Sequence, residues 1–401
     1  MKNTNLKVLA QIFFVTCCLT SSLQAGSFYS SKGIGLLYHF ISGRSVGMGG
    51  VGLATTENMT LNYLNPAALV EIPFTFISGN FLHESTDLQG SDQDAFISST
   101  GVAGVQFAIP IKRNRAVIAI GVNPYSSIEY SFASLDTVED KAFVEVLSGD
   151  GGVNTGFFTF SFKPIKNLYL GITGLLYFGV LKSTWQVNFL TSDFFNTRDE
   201  IFQSFTAGNL RVGFVYHITS GWSLGGVFTP AVTLDLNKKL KERFGEFSDF
   251  PDSEIEIPLA FGAGTALSVG KKFVAGADFY FQKWSDFNKE GYVNDSKRIA
   301  FGFEYSGRGS SGDSYFSRMA FRGGVFYRDL GLEDPLGEKV TELFGTIGLG
   351  LPIKWAAGRI DLAVEGGRRG SISRNPFSET VIRVTGSVTV GERWFFRGGR
   401  R

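Results

Sequence analysis

The sequence predicts an all-β protein, a transmembrane antiparallel β-barrel of about 14 strands, each roughly ten residues or longer. Three observations carry this. Apolar residues alternate with small or charged ones through most of the chain after residue 25. The links between alternating segments are by turns short and long. The tryptophans lie near segment ends, where amphipathic rings meet the headgroup level. Glycine and phenylalanine are both abundant, 50 and 40 of 401 residues, as aromatic sheet faces joined by tight turns require.

The segments run, in order, over 72–83, 99–110, 115–132, 153–164, 167–189, 205–219, 221–236, 254–270, 272–284, 297–307, 317–328, 341–353, 356–367 and 379–396. In the tenth, Ile299, Phe301, Phe303 and Tyr305 alternate with Gly302 and Glu304. In the thirteenth, Ile360, Leu362 and Val364 oppose Asp361 and Glu365, which this parity directs to the lumen. Lipid outside and a polar lumen inside account for one apolar and one polar face per strand. Short turns such as "KRN" and "TSG" are assigned to the periplasmic end. The long links 84–98, 133–152, 190–204, 237–253, 285–296, 329–340 and 368–378 are assigned to the extracellular end. Both chain ends then face the periplasm. Asp136 and Glu139 suggest a capping box for a short helix ending near Gly149. Trp185 and Trp284 fall near outer strand ends, and Trp222, Trp355 and Trp394 near periplasmic ends.

Residues 1–25 read as a secretory signal, with Lys2 and Lys7, an apolar stretch from Leu9 to Leu19, and "LQA" ending at Ala25. Both cysteines, Cys17 and Cys18, lie within it, so the mature chain has no thiol chemistry. The formal net charge of +1, without a basic block, argues against nucleic acid. His39, His83 and His217 are scattered and suggest no metal site. With no G-x-S-x-G, phosphate loop or Ser–His pairing, no catalytic residue and no cofactor is expected.

Gly47, Gly49 and Gly52 have the G-x-G-x-x-G spacing of a dinucleotide turn. Such a turn needs a buried strand before it and a helix after it. "YHFISGRS" and "LATTENMTLNYLNPAAL" supply neither. Residues 42–69, "SGRSVGMGGVGLATTENMTLNYLNPAAL", instead resemble the N-terminal signature of the long-chain fatty acid transporter (FadL/TodX) family of outer-membrane barrels and of the related PorV-type proteins. The matching positions are Gly47, Gly49, Gly50 and Gly52, then Asn65, Pro66, Ala67 and Ala68. The resemblance implies a barrel whose N-terminal segment is a hatch, or plug, inside the lumen. Residues 26–70 would be the hatch and 71–401 the barrel. Glycines there allow close backbone approach, Pro66 fixes a turn, and Asn65 bonds neighbouring backbone.

The resemblance further implies passive uptake of long-chain fatty acids or other hydrophobic compounds, captured by extracellular loops and released sideways at a kinked third strand. Asn123-Pro124 falls in the middle of that strand, where proline lacks a ladder donor. The capture loops would be 190–204, with Leu190, Phe194, Phe195, Ile201 and Phe202, and 237–253, with Leu240, Phe244, Phe247 and Phe250. Lys238, Lys239 and Lys241 in the second could pair a carboxylate. Implied partners are hydrophobic small molecules or fatty acids, outer-membrane lipid, and the barrel-assembly machinery. The ending "GERWFFRGGRR" is closer to PorV-like relatives. The alternative is therefore a PorV-like barrel for protein secretion or surface attachment, partnered by secretion-system proteins.

Overall fold

The computed structural model describes residues 26–39, 42–90, 94–138, 141–191, 194–242, 245, 247–270, 272–286, 294–307, 314–334, 336–353, 357–373 and 375–392. A two-residue strand, β1 (Leu36–Leu37), precedes the wall. The wall comprises β2 (Thr75–Gly90), β3 (Asp94–Lys112), β4 (Ala116–Val138), β5 (Lys141–Ile165), β6 (Leu168–Phe189), β7 (Thr197–His217), β8 (Trp222–Thr229) and β9 (Val232–Lys241). It continues through β10 (Phe247–Ile257), β11 (Ala260–Val269), β12 (Phe273–Gln282), β13 (Ser296–Ser306), β14 (Ala320–Glu333), β15 (Lys339–Ile353), β16 (Ala357–Gly370) and β17 (Phe377–Glu392). Successive strands pair antiparallel, except that β9 follows β8 and β11 follows β10 end to end, and β17 closes the cylinder on β2, from Phe377 opposite Gly90 to Glu392 opposite Thr75.

The wall has fourteen strands, because β8 and β9 form one and β10 and β11 another. Pro230 interrupts the first and Pro258 the second, within one residue of facing each other: Thr229 pairs with Ala260, and Val232 with Ile257. A proline cannot donate to either ladder, so both strands break at the same height, where Pro230 and Ala231 face Leu259 and Pro258. The side-chain parity is that of a barrel. On β13, Phe301 is 56% exposed on the outside, while Arg298, Ala300 and Glu304 are buried inside. On β16, Asp361 and Glu365 face the lumen, buried.

The strands extend well beyond the expected segments. β4 has 23 residues and β5 has 25, and they stay paired up to Val138 opposite Lys141. The described residues of the expected long link 133–152 are therefore sheet, as are most of 84–98, 190–204 and 237–253. Asp136 lies in β4 opposite Phe143, and Gly149 lies in β5, so no helix forms there; Glu139 lies outside the described residues. The reason is physical. Above the hydrocarbon both faces of a strand meet water, so hydropathy stops alternating while the hydrogen-bond ladder continues.

Trp185 and Trp222 face outward, 54% and 41% exposed. Trp284 does not join them. It lies in a 3₁₀ turn after the end of β12 and folds inward, 4% exposed, onto the lumenal apolar cluster. Trp355, Trp394 and the terminal "GERWFFRGGRR" beyond Glu392 lie outside the described residues, as does the expected signal.

The described residues between 26 and 74 run through the lumen. Ser27 to Ser31 lie at the end where β4 and β17 are remote from their short turns: Ser30 Oγ donates to Glu129 O at 2.7 Å, and Tyr29 Oη to Phe377 O at 2.6 Å. This reverses the expectation for the N-terminal end, since the first described residues lie at the long-strand end. A short helix, α1 (Gly43–Gly47), capped by Ser42, then packs against β14–β17 at mid-height. A 3₁₀ turn over Pro66–Glu71 reaches the short-turn end of β5–β7.

Candidate functional site

Hatch and wall meet backbone to backbone. Gly49 has φ +63°, a left-handed conformation that favours glycine. Its amide donates to Thr346 Oγ1 at 2.9 Å. A Cβ on wall residue Gly324 would lie 2.3 Å from Gly49 N, and one on Gly302 would lie 2.0 Å from Met48 O. Gly47 packs on Gly348, and Gly50 donates its amide to Ser45 O at 2.7 Å. The amides of Gly52 and Leu53 both donate to Asp278 on β12, at 2.7 and 2.8 Å. Asn65 caps the 3₁₀ turn through Ala67 N, and its amide nitrogen donates to Leu53 O at 2.6 Å and to Phe214 O on β7 at 2.9 Å. Ser161 on β5 donates to Pro66 O, and Ala67 and Ala68 are buried.

Two ionic clusters line the lumen on the β13–β17 side, and sequence reasoning missed most of them. In the first, Arg44 of the hatch binds Glu304 at 2.9 Å, and Arg322 bridges Glu304 at 2.6 Å and Asp361 at 2.8 Å. Arg359 joins Asp361 at 2.8 Å to the hatch carboxylate Glu57 at 3.2 Å. Burial raises the pKa of Glu57, but Arg359 and Arg44 outweigh it and hold the carboxyl below its usual range. In the second, Arg369 contacts Glu342 at 2.6 Å and Glu379 at 2.5 Å, while Arg383 binds Glu84 at 2.5 Å. The signal was available as Arg and Glu at the inward parity of successive strands. The opposite side, from β4 to β10, carries an apolar cluster in which Ile34 and Leu61 of the hatch pack with Val153, Tyr177, Phe205 and Leu234, while Arg211 of β7 is buried over the Tyr63 ring, 4.9 Å from its centroid.

The wall parts between β3 and β4. Their ladder runs from Lys112 opposite Ala116 only to Val105 opposite Val122. Beyond that, β3 stays paired to β2 and β4 to β5, so two hairpins diverge. Asn123-Pro124 stands at the fork. The β4–β5 register shifts between Pro124 and Ser126, and the β2–β3 register shifts between Asn80 and Phe81, next to Gly104 with φ +123°. A Cβ on Gly104 would lie 2.2 Å from Asn123 Oδ1. Asn123 is 1% exposed; its Oδ1 accepts from Gln106 at 3.1 Å, and its Nδ2 has no partner among the described residues.

Hatch residues line the β4 side of the fork. Leu36 and Leu37 pair with Ser127 and Ser126, and Tyr38 N donates to Tyr125 O at 2.9 Å. The opening is a cavity of about 330 Å³, bounded by Tyr38 and Glu129 within and by Val102 and Val180, which face outward. Tyr38, Ser99, Ser127 and Glu129 also border a second cavity of about 90 Å³, whose far wall carries Arg298, Arg328, Glu342 and Arg383. An apolar groove begins on the outer face at the last rung, Val105 and Val122, and passes Phe158 and Leu176.

The proposed capture residues are partly brought together. Ile201 on β7 pairs with Leu240 on β9, and the Phe202 and Phe247 rings meet at 5.6 Å. These four, and Phe250 by its backbone, belong to strands rather than loops, because the ladder outlasts the hydropathy pattern. Lys241 stands over the Phe247 ring, with Nζ 5.5 Å from its centroid. Leu190, Phe194 and Phe195 lie in the link after β6, exposed, with Phe194 against Phe189 at 4.9 Å. Phe244 lies outside the described residues.

A sequence profile described as BamG matches residues 4–398. No curated protein matches the sequence. Solved structures share the fold at low identity. A FadL homologue from Pseudomonas aeruginosa has a TM-score of 0.61 at 11% identity, covering 88% of this chain and 98% of its own. The toluene transporter TbuX of Ralstonia pickettii gives 0.58 at 15%, covering 88% and 98%. The monoaromatic hydrocarbon channel CymD gives 0.57 at 14%, covering 89% and 98%.

Proposed function

For a chain that belongs to the BamG family and is built as a FadL-like outer-membrane barrel, we propose a non-enzymatic role in moving hydrophobic compounds between the lumen and the membrane, through the opening at Asn123-Pro124. The observation that carries this reading is the divergence of β3 from β4 above Val105 and Val122, with a cavity bordered by both lumenal and outward-facing residues. The apolar groove on the outer face gives an emerging compound a surface to follow into lipid. Similar solved structures are described as a monoaromatic hydrocarbon channel and a toluene transporter, in keeping with such cargo. In this reading residues 1–25 are the export signal, 26–70 the hatch and 71–401 the wall of a Gram-negative-type outer-membrane protein. Leu190, Phe194, Phe195, Ile201, Phe202, Leu240, Phe244, Phe247 and Phe250 gather cargo at the rim.

A second reading, a barrel serving protein assembly or secretion, is favoured by the unpaired strand edge above the opening.

The test is uptake of a fluorescent fatty acid by proteoliposomes. Val102→Trp and Val180→Trp place bulk on the outer lip at positions that are 38% and 46% exposed. Uptake is expected to fall at least tenfold while the melting temperature stays unchanged. Unaltered uptake would refute lateral passage.

A further inference from the structure

The hatch covers only part of the edge that β4 turns toward β3. Tyr125 O accepts from Tyr38 N, and Ser30 Oγ donates to Glu129 O at 2.7 Å and accepts from Glu129 N at 3.1 Å. These contacts fix the parity: odd-numbered residues present their amide and carbonyl to this edge. Phe132, Ser134 and Asp136 turn theirs to β5, where the ladder runs to Val138. Past Glu129 no described hatch residue pairs with the β4 backbone, although the Phe28 ring meets that of Phe132 at 5.3 Å. Ser131, Ala133 and Leu135 then present backbone groups with no strand opposite among the described residues. The series ends at Thr137, whose amide is capped by Asp136 Oδ1 at 2.7 Å. Leu135 on this edge and Phe96 on the diverging β3 are 70% and 74% exposed.

We propose that this stretch of β4, Ser131 to Leu135, is a docking edge for an extended segment of a partner protein, which adds as a strand antiparallel to β4. Three facts commit the site to a polypeptide. Paired donors and acceptors that recur every second residue, roughly 6.8 Å apart, match the backbone of another strand. The same edge already holds one such strand antiparallel, since Leu36 and Leu37 sit on Ser127 and Ser126. The site directly continues that seat. Unpaired edges are otherwise a liability that proteins cover or blunt. The docked segment is free of proline and carries an apolar residue to cover Leu135. It lies above the membrane opening, so the inference does not depend on hydrophobic passage, and the uptake assay leaves it untouched.

The test uses the full protein in nanodiscs and a fluorescent nine-residue peptide of alternating threonine and valine. A twin peptide methylated on alternate backbone nitrogens serves as the control. The plain peptide is expected to bind, and the methylated twin at least tenfold more weakly. Ala133→Pro removes the amide from the edge and lowers affinity at least tenfold, whereas Ser131→Ala, which changes only a side chain, does not. In the peptide-free protein, the amides of Ser131, Ala133 and Leu135 exchange hydrogen faster than those of Phe132 and Ser134, and peptide slows them. Equal binding of the two peptides would overturn the proposal. So would slow exchange at Ser131, Ala133 and Leu135 without peptide, because β3 would then already occupy the edge.

Discussion

At Asn65 one carboxamide makes three hydrogen bonds, to Ala67 N, Leu53 O and Phe214 O, and so ties the hatch both to itself and to β7. It is fully buried, so losing the group leaves two carbonyls and an amide without partners. Asn65→Ala is expected to destabilise hatch docking by about 2–3 kcal/mol, read as faster proteolysis of residues 42–74 in a barrel that stays folded. Asn65→Asp is expected to be worse, because a carboxylate there meets two carbonyl oxygens and can donate to neither. Glu57 gives a pH dependence. Its folded pKa lies below the unfolded value, so its contribution is fully present above about pH 4.3 and is lost as pH falls through the folded value. Hydrogen exchange in residues 52–62 is expected to stay flat from pH 8 to 5 and to rise only under stronger acid. Asn65 and the hatch glycines were legible from their spacing. The partners of Glu57 were not, because no sequence pattern states which inward arginine lies across a lumen from which carboxylate.

Among the elements, all fourteen wall strands could be read from alternation, because lipid on one side forces a two-residue period. Their upper ends could not, since alternation ends where water meets both faces. The breaks at Pro230 and Pro258 were visible as prolines, but their common height across the ladder depends on register. The same holds for the fork at Asn123-Pro124: the sequence marked the residue pair, whereas the long divergence of β3 and β4 follows from bends in both strands. The inward glycines of β13 and β14 were also in plain view, and only the position of the hatch explains them. Gly324→Val drives a side chain into the Gly49 backbone, where a Cβ alone would lie 2.3 Å from the nitrogen. It is expected to displace α1 and cost roughly 1–3 kcal/mol or more. Gly345→Ala, with no atom within 4 Å of the added Cβ, is expected to be neutral in the same thermal melt.

For the whole molecule, the lumen is filled by its own N-terminal segment, held by arginine–carboxylate pairs on one side and apolar packing on the other. Deleting residues 26–74 is expected to raise single-channel conductance in planar bilayers at least tenfold, and unchanged conductance would show that the segment does not block the bore. The wall is also uneven in height. β4 to β7 have 21 to 25 residues each, whereas β12 and β13 have 10 and 11. At about 3.3 Å per residue this is the difference between roughly 75 Å and 35 Å of strand. The palisade stands high along one arc and low along the other. A bulky visitor from outside the cell would therefore meet a screen on one flank and a threshold on the other, and its line of approach is set before any side chain touches it.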